Sequence, residues 1–347
     1  MEEEVFSILK SFPPQTKYLA AVSGGADSMA MLSALSAVVN KDALFCLHVN
    51  HNIRTAQESG ADAEFVRDFC EKRKIACHVE TIPSGKIASY AKSRGVGIEA
   101  AARHFRRKAL LEEAARLGAD TRVLIAHTKD DLLETALMRI LRGCGPAGLS
   151  AMPAENGIIL RPLLSMTRAG VIAYLTENNI PWREDLSNND EKFLRNKIRG
   201  RLVPLLNESF PSWKEGIGAM AQTQSIAAQF IASEAKSRVL WESRTDAKTQ
   251  GNPELFTNEK NFFTQPLIIR EEAVFQGINI FSSLCDPKSG HGSSKIKSIK
   301  RAVVRKFCAG NFVAESSAAA GCVNAADLGP VRIRRKKGKV LLEIISQ

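Results

Sequence analysis

Ser23-Gly24-Gly25-Ala26-Asp27-Ser28 places two glycines, two hydroxyls and a carboxylate directly after the apolar run Tyr18–Val22. Glycine lets the backbone turn at positive φ and lets another group come close. Unpaired N–H groups at a helix start, reinforced by the helix dipole, attract anions. The stretch therefore predicts a phosphate cradle. It is not a GxxxxGK[ST] loop, because no lysine follows to reach the outer phosphates. Asp27 adds a carboxylate beside that turn. The plain alternative is an ordinary strand-to-helix turn.

Other residues offer chemistry further along. Asp130 and Glu134 are four apart, so on a helix they share one face and could hold Mg²⁺ or an ammonium group. A carboxylate there could also serve as a general base. A structural pairing of Glu134 one turn on would meet Met138, which cannot form an ion pair; Arg139 and Arg142 are less well placed. Arg103, beside Arg106-Arg107-Lys108, could stabilise charge on a phosphoryl group or simply be solvated. His48 and His51 flank Asn50 and suit an adenosine-side contact, and His127 suits a nucleotide contact. Gly143, Gly145 and Gly148 would let backbone approach a substrate closely. Seven cysteines are scattered with no CxxC pair, which reads as small buried apolar residues in a reducing compartment.

These residues need a scaffold. Strand-like runs at Tyr18–Val22, Leu44–Val49, Ala76–Ile82 and Val123–His127 alternate with helical stretches at Ser28–Val39, Ser59–Lys72 and Ile98–Leu117. That alternation predicts an α/β fold with a parallel sheet covered on both faces. Ligands in such sheets bind where the strands end. A helix follows Lys129, with Thr128 and Asp131 as a capping pair, and stops at Gly143-Cys144-Gly145-Pro146. Ile158–Leu164 and Arg168–Asn178 form a further α/β piece. From about Trp213 a helix runs through Leu240, and Val331–Ile345 reads as an edge hairpin. The expected organisation is residues 1–215 as the nucleotide-binding domain and 216–347 as a smaller, basic, mainly helical domain.

The chain has 347 residues and a formal net charge of +11. Residues 1–215 hold 29 basic against 26 acidic side chains, whereas residues 216–347 hold 19 against 11. The surplus is thus concentrated in the second part, at 295–306 and at Arg332–Lys337. Such clusters are either a solvated face or a footprint for a polyanion. The acidic start Met1-Glu2-Glu3-Glu4 does not resemble a signal peptide, and no apolar run reaches the length of a membrane span. The expectation is a cytoplasmic protein with no membrane partner.

The SGGADS stretch resembles the PP-loop of ATP pyrophosphatases. Around it, His48-Val49-Asn50-His51-Asn52-Ile53-Arg54, Gly97–Arg103, Ala126–Thr135, Arg142–Leu149, Arg161–Leu164, Asp185–Asn188 and Phe193–Arg199 follow in the order of the tRNA(Ile)-lysidine synthetase family. With the loop, these blocks span residues 18–206. The resemblance implies ATP and Mg²⁺ as cofactors, and tRNA(Ile) with a CAU anticodon and free L-lysine as substrates. The implied reaction adenylates the C2 oxygen of the wobble cytidine, after which the lysine ε-amine displaces AMP. Lysidine results, and tRNA identity changes from methionine to isoleucine. The implied nucleotide contacts are Ser23, Gly24, Gly25, Ala26, Asp27, Ser28, His48, Asn50 and His127, with Asp27 on the metal. Asp130, Glu134 and Arg103 are the implied catalytic residues. Arg142, Gly143, Gly145, Asn188, Arg195, Asn196 and Arg199, with Arg334, Arg335, Lys336 and Lys337, are the implied tRNA contacts. Longer family members carry a further C-terminal domain that this sequence does not match. The assembly stays open between monomer and homodimer. The rival reading is another PP-loop tRNA enzyme such as a thiolase, for which Cys144 alone in its glycine loop is poor support.

Overall fold

The computed structural model of the chain describes residues 1–53, 56–150, 152–184, 194–244, 253–284, 301–310, 325–328 and 331–344. Asn188, the basic residues 295–300 and the glycine-rich stretch 290–294 lie outside them. Two compact units are present, Met1–Gln222 and Thr223–Gln347, divided within one helix, Trp213–Arg238.

The first unit opens with a short helix α1 (Glu2–Leu9) and then alternates: β1 (Lys17–Ala21), α2 (Ala26–Val38), β2 (Leu44–Asn50), α3 (Ala56–Arg73), β3 (Ala76–Thr81). Two helices, α4 (Lys86–Arg94) and α5 (Ile98–Leu117), precede β4 (Thr121–Ile125). After α6 (Lys129–Arg142) and the single turn α7 (Pro146–Leu149) come β5 (Glu155–Asn156), β6 (Ile159–Leu160) and α8 (Arg168–Glu177). The sheet order is β3-β2-β1-β4-β6-β5, parallel except at its β5 edge. The first four strands and helices α2, α3 and α5 lie where periodicity predicts, whereas α4 is not expected from it. The order reverses between β1 and β4, so the switch point opens beside the loop that follows β1.

Helix α2 is apolar almost all round, and Met29, Met31, Leu32 and Leu35 are fully buried. Such a helix is held between layers rather than at the surface. Burying each of these large side chains contributes about 1.5–3 kcal/mol. The start of α2, and hence the glycine loop, is therefore anchored by its own core.

Past residue 193, a helical segment runs through α9 (Leu194–Lys197), a π-helical stretch Ile198–Leu202, and α10 (Val203–Ser209). Helix α11 (Trp213–Arg238) follows. In the second unit, β7 (Glu242–Arg244), β8 (Glu254–Asn258), β9 (Ala325–Asp327), β10 (Val331–Lys336) and β11 (Lys339–Ile344) form an antiparallel sheet ordered β7-β8-β11-β10-β9. Phe262, Phe281 and Phe307 fill its core from helices Glu259–Thr264, Leu267–Leu284 and Arg301–Cys308. The β10–β11 hairpin lies in the middle of this sheet, not at its edge. Val331, Ile333, Val340 and Leu342 are all buried, so its alternation points into the core.

Candidate nucleotide-binding site

The loop after β1 owes its shape to one glycine and two serines. Gly24 has φ +91°, a conformation that L side chains rarely adopt. A Cβ there would meet Phe65 and Val66 no closer than 3.6 Å, so backbone conformation and not space demands glycine. Gly25 is the N-cap of α2 and provides no side-chain cap. The first-turn N–H groups of α2 thus face outward without a side-chain acceptor, the arrangement that attracts phosphate oxygens. Ser28 Oγ donates to the Gly25 carbonyl at 2.9 Å and accepts from the Ser23 amide at 3.1 Å. The two serine hydroxyls lie 3.2 Å apart. Ser28 therefore shapes the loop from within.

This loop lines a cavity of about 740 Å³ at the carboxyl end of the sheet. Its wall includes Asp27, His48, Asn50, Arg106, His127, Arg168, Arg183 and Arg199. Asp27 is partly buried; burial pushes its carboxyl up, while Arg168 pulls it back down. One carboxylate oxygen of Asp27 pairs with Arg168, and the other, Oδ1, is buried without a hydrogen-bond partner. That orphaned oxygen on a hard carboxylate fits a ligand to Mg²⁺. Arg183 bonds Asp62 Oδ1 at 2.5 Å, and its amide donates to the Gly24 carbonyl at 3.0 Å. The cavity thus presents several guanidiniums around an open helix start, which suits a polyanion.

Burial disfavours the charged form of both His48 and His127. His48 is buried, which lowers its pKa, and its Nδ1 donates to the Val22 carbonyl at 2.9 Å. Burial takes His127 down to about 4. Its Nδ1 accepts from Arg161 Nε at 3.3 Å, leaving the proton on Nε2 as a donor.

Helix α6 starts with a full capping box between Thr128 and Asp131, as its sequence predicts. Asp130 and Glu134 do share its face, yet they meet different partners. Asp130 Oδ2 accepts from the Arg168 amide at 2.6 Å. Glu134 is only 4% exposed and takes Arg195 Nε at 2.8 Å and Arg199 through Nε at 2.6 Å and Nη2 at 3.0 Å. Arg195 also reaches Asp131 Oδ1 at 2.6 Å. The ion pairs that helix spacing denied to Glu134 come from 61 and 65 residues away. Arg195 and Arg199 hence tie the segment 194–202 to α6, and Asn196 sits on the same short helix. Of the expected catalytic trio, Arg103, Asp130 and Glu134, none lines the cavity. Arg103 is exposed on α5, and Arg106, one turn further, occupies the wall. Sequence reasoning passed over Arg106 and Arg168; the apolar flank of Phe105 and Leu110 around Arg106 was the available signal.

The glycines after α6 each have a local reason. Arg142 is exposed at the end of the helix. Gly143 ends the helix at φ +72°, and Gly145 caps α7. A Cβ on Gly148 would stand 2.7 Å from Cys144 Cβ. In the second unit, Arg334 pairs with Glu343 at 2.6 Å, and Arg335 bonds Glu259 at 2.6 Å over the Phe263 ring. Arg335 is 8% exposed, so the expectation that it joins an exposed phosphate strip is corrected: the even spacing of β10 turns it inward. Lys336 and Lys337 stay exposed at the hairpin turn.

A parallel sheet, a glycine-bent loop and an uncapped helix start define a class, and residues 1–206 match the family model of the PP-loop domain. The chain belongs to that family. The chain is 45% identical over 204 residues to the tRNA(Ile)-lysidine synthase of Treponema denticola, covering 58% of this chain and 44% of that one. Against the enzyme of the same name from Shouchella clausii it is 36% identical over 234 residues, covering 66% and 49%. The chain spans about half the length of these curated relatives. A solved U34-tRNA thiolase from Methanococcus maripaludis, with its [4Fe-4S] cluster, shares the fold at a TM-score of 0.51. It is 17% identical and covers 65% of this chain and 78% of its own, a likeness of fold alone. Among the described residues, no helix is long and apolar enough to cross a membrane.

Proposed function

We propose that this protein uses ATP to join free L-lysine to C2 of the wobble cytidine in tRNA(Ile) with a CAU anticodon. The observation that carries the reading is the uncapped start of α2, bent open at Gly24 and flanked by the orphaned Asp27 oxygen. The names of the similar curated proteins point to the same substrate. The cytosine C2 oxygen would attack the α-phosphorus and pyrophosphate would leave. The ε-amine would then attack C2, AMP would depart with the oxygen, and a proton would leave the amine.

In this reading the first-turn amides of α2 hold the leaving pyrophosphate, and Arg106, Arg168 and Arg199 offset its charge. Asp27 would hold Mg²⁺, which supplies further charge neutralisation on the phosphates. His127, with its Nε2 proton, donates a hydrogen bond and does not act as an acid near neutral pH. His48 fixes the end of β1 against β2 next to Asn50. Asp130, although outside the lining of the nucleotide cavity, is the carboxylate we assign to take the proton from the lysine amine. Free lysine is mostly protonated at neutral pH, its amine having a pKa of about 10.4, so such an acceptor matters. Glu134 orients Arg195 and Arg199 and acts through them. Lys336 and Lys337 supply tRNA backbone contacts, and the cytoplasm is the compartment where these substrates meet.

The deciding assay mixes the full chain with ATP, Mg²⁺, radiolabelled lysine and an unmodified tRNA(Ile) transcript. Label in the tRNA together with pyrophosphate and AMP is expected. Release of ADP, or label that does not depend on ATP, overturns the proposal.

A further inference from the structure

Cys46, Cys70 and Cys77 are far from motif-like in sequence and adjacent in space. Cys46 on β2 and Cys77 on β3 are register partners on parallel neighbouring strands. Cys70 comes from the last turn of α3, which packs on that face of the sheet. The three sulfurs all lie within 4.8 Å of one another. Cys46 is 1% exposed and Cys70 0%, while Cys77 is half-buried on the edge strand. Their surroundings are apolar, including Leu44, Val66, Phe69 and Ile75. No other triad of histidine, cysteine or carboxylate ligands converges this way among the described residues.

We infer that Cys46, Cys70 and Cys77 form a site for a single thiophilic divalent cation of the zinc type, separate from the nucleotide cavity. Three soft sulfurs select such ions over Mg²⁺ or Ca²⁺. With Zn–S bonds of about 2.3 Å, three sulfurs around one ion stand about 4 Å apart, so the present spacing closes with shifts of tenths of an ångström. A divalent ion leaves the three-thiolate site with one net negative charge, a monovalent ion with two, and an apolar core favours the smaller charge. Arg67 and Arg73 lie near enough to act on Cys77 and Cys70. An iron–sulfur cube places each cysteine on its own iron, which sulfurs this close cannot do. A fourth ligand would come from solvent on the half-exposed Cys77 side.

None of the three sulfurs lines the nucleotide cavity. Yet β2 runs on from Cys46 to His48 and Asn50, which do, and His48 is two residues along on the same face. An ion tying β2, β3 and α3 together would brace the strand that delivers those contacts. Binding would release the thiol protons and raise the melting temperature with metal concentration.

The test strips the full chain with a chelator under reducing conditions and adds Zn²⁺ or Cd²⁺. The expected result is one ion per chain, a sulfur-to-cadmium charge-transfer band, proton release and a higher Tm. X-ray absorption at the zinc edge should show three sulfur neighbours at about 2.3 Å. Cys77→Ser, on the half-exposed edge, should lower affinity at least 100-fold with an unchanged circular dichroism spectrum; Cys144→Ser should leave binding intact. An ion held equally well by Cys77→Ser, a zinc edge without sulfur neighbours, or uptake of Cu⁺ but neither Zn²⁺ nor Cd²⁺ would each overturn the inference. The zinc-edge measurement uses the unaltered chain, so misfolding of a variant cannot mask the answer.

Discussion

Replacing Glu134 by Gln separates a clamp from a catalyst. Its carboxylate receives three N–H donors from two guanidiniums, Arg195 and Arg199. The amide keeps one acceptor oxygen and adds two donors that face cations, so at least one charged bond is lost. Hydrogen bonds to charged groups contribute about 1.5–3 kcal/mol each. Arg195 retains Asp131 at 2.6 Å, whereas Arg199 keeps only a 3.7 Å contact with Asp131. Both guanidiniums reach water, with side chains 27% and 48% exposed, which lessens the penalty of leaving them unpaired. The expected loss is therefore about 2–3 kcal/mol, toward the lower end of what breaking a buried pair costs. Equilibrium urea unfolding of Glu134→Gln, Arg199→Met and the double variant gives the coupling directly. If Arg199→Met costs the same in both backgrounds, or Glu134→Gln costs under about 0.5 kcal/mol, the clamp argument fails.

Further outcomes follow from other parts of the structure. Gly24→Ala forces a side chain to φ +91°, at a cost of about 1–3 kcal/mol, and should cut pyrophosphate release at least tenfold; a wild-type rate would contradict the loop assignment. The His127 pKa falls from 6.5 to about 4 on folding, so below pH 6.5 the unfolded chain binds more protons. Stability attributable to it is full above pH 6.5 and declines by about 3 kcal/mol as pH falls to 4, and His127→Gln should flatten that slope in urea titrations. Replacing Lys336 and Lys337 by Ala should weaken tRNA binding and reduce its logarithmic salt slope by about 2, with stability unchanged. Arg335→Ala should instead destabilise the second unit, because it strips Glu259 of its partner inside the fold; a stable Arg335→Ala with weakened tRNA affinity would reverse this division.

Periodicity sufficed for the elements that depend on neighbours in the chain. Helices α2, α3 and α5 and the capping box of α6 rest on contacts within a few residues, which spacing reports; the first four strands pair with distant partners, but their short apolar runs marked them. The glycine loop was legible for the same reason: its turn, its helix start and its carboxylate occupy six consecutive positions. Helices α1 and α4 escaped notice because they are short and carry weak patterns. In the second unit, alternation revealed a hairpin, but only pairing with β8 and β9 decided that it lies mid-sheet.

Sequence alone determined which chemical groups this protein owns and the bent strand-to-helix corner that presents them, since those follow from backbone sterics and local periodicity. Tertiary structure decided their company. Arg195 and Arg199 meet Glu134 across more than 60 residues, Arg168 meets Asp27 across 141, and Cys46, Cys70 and Cys77 converge from two strands and a helix. Long-range partners are chosen by how elements stack to bury apolar surface, and one-dimensional spacing carries no record of that choice.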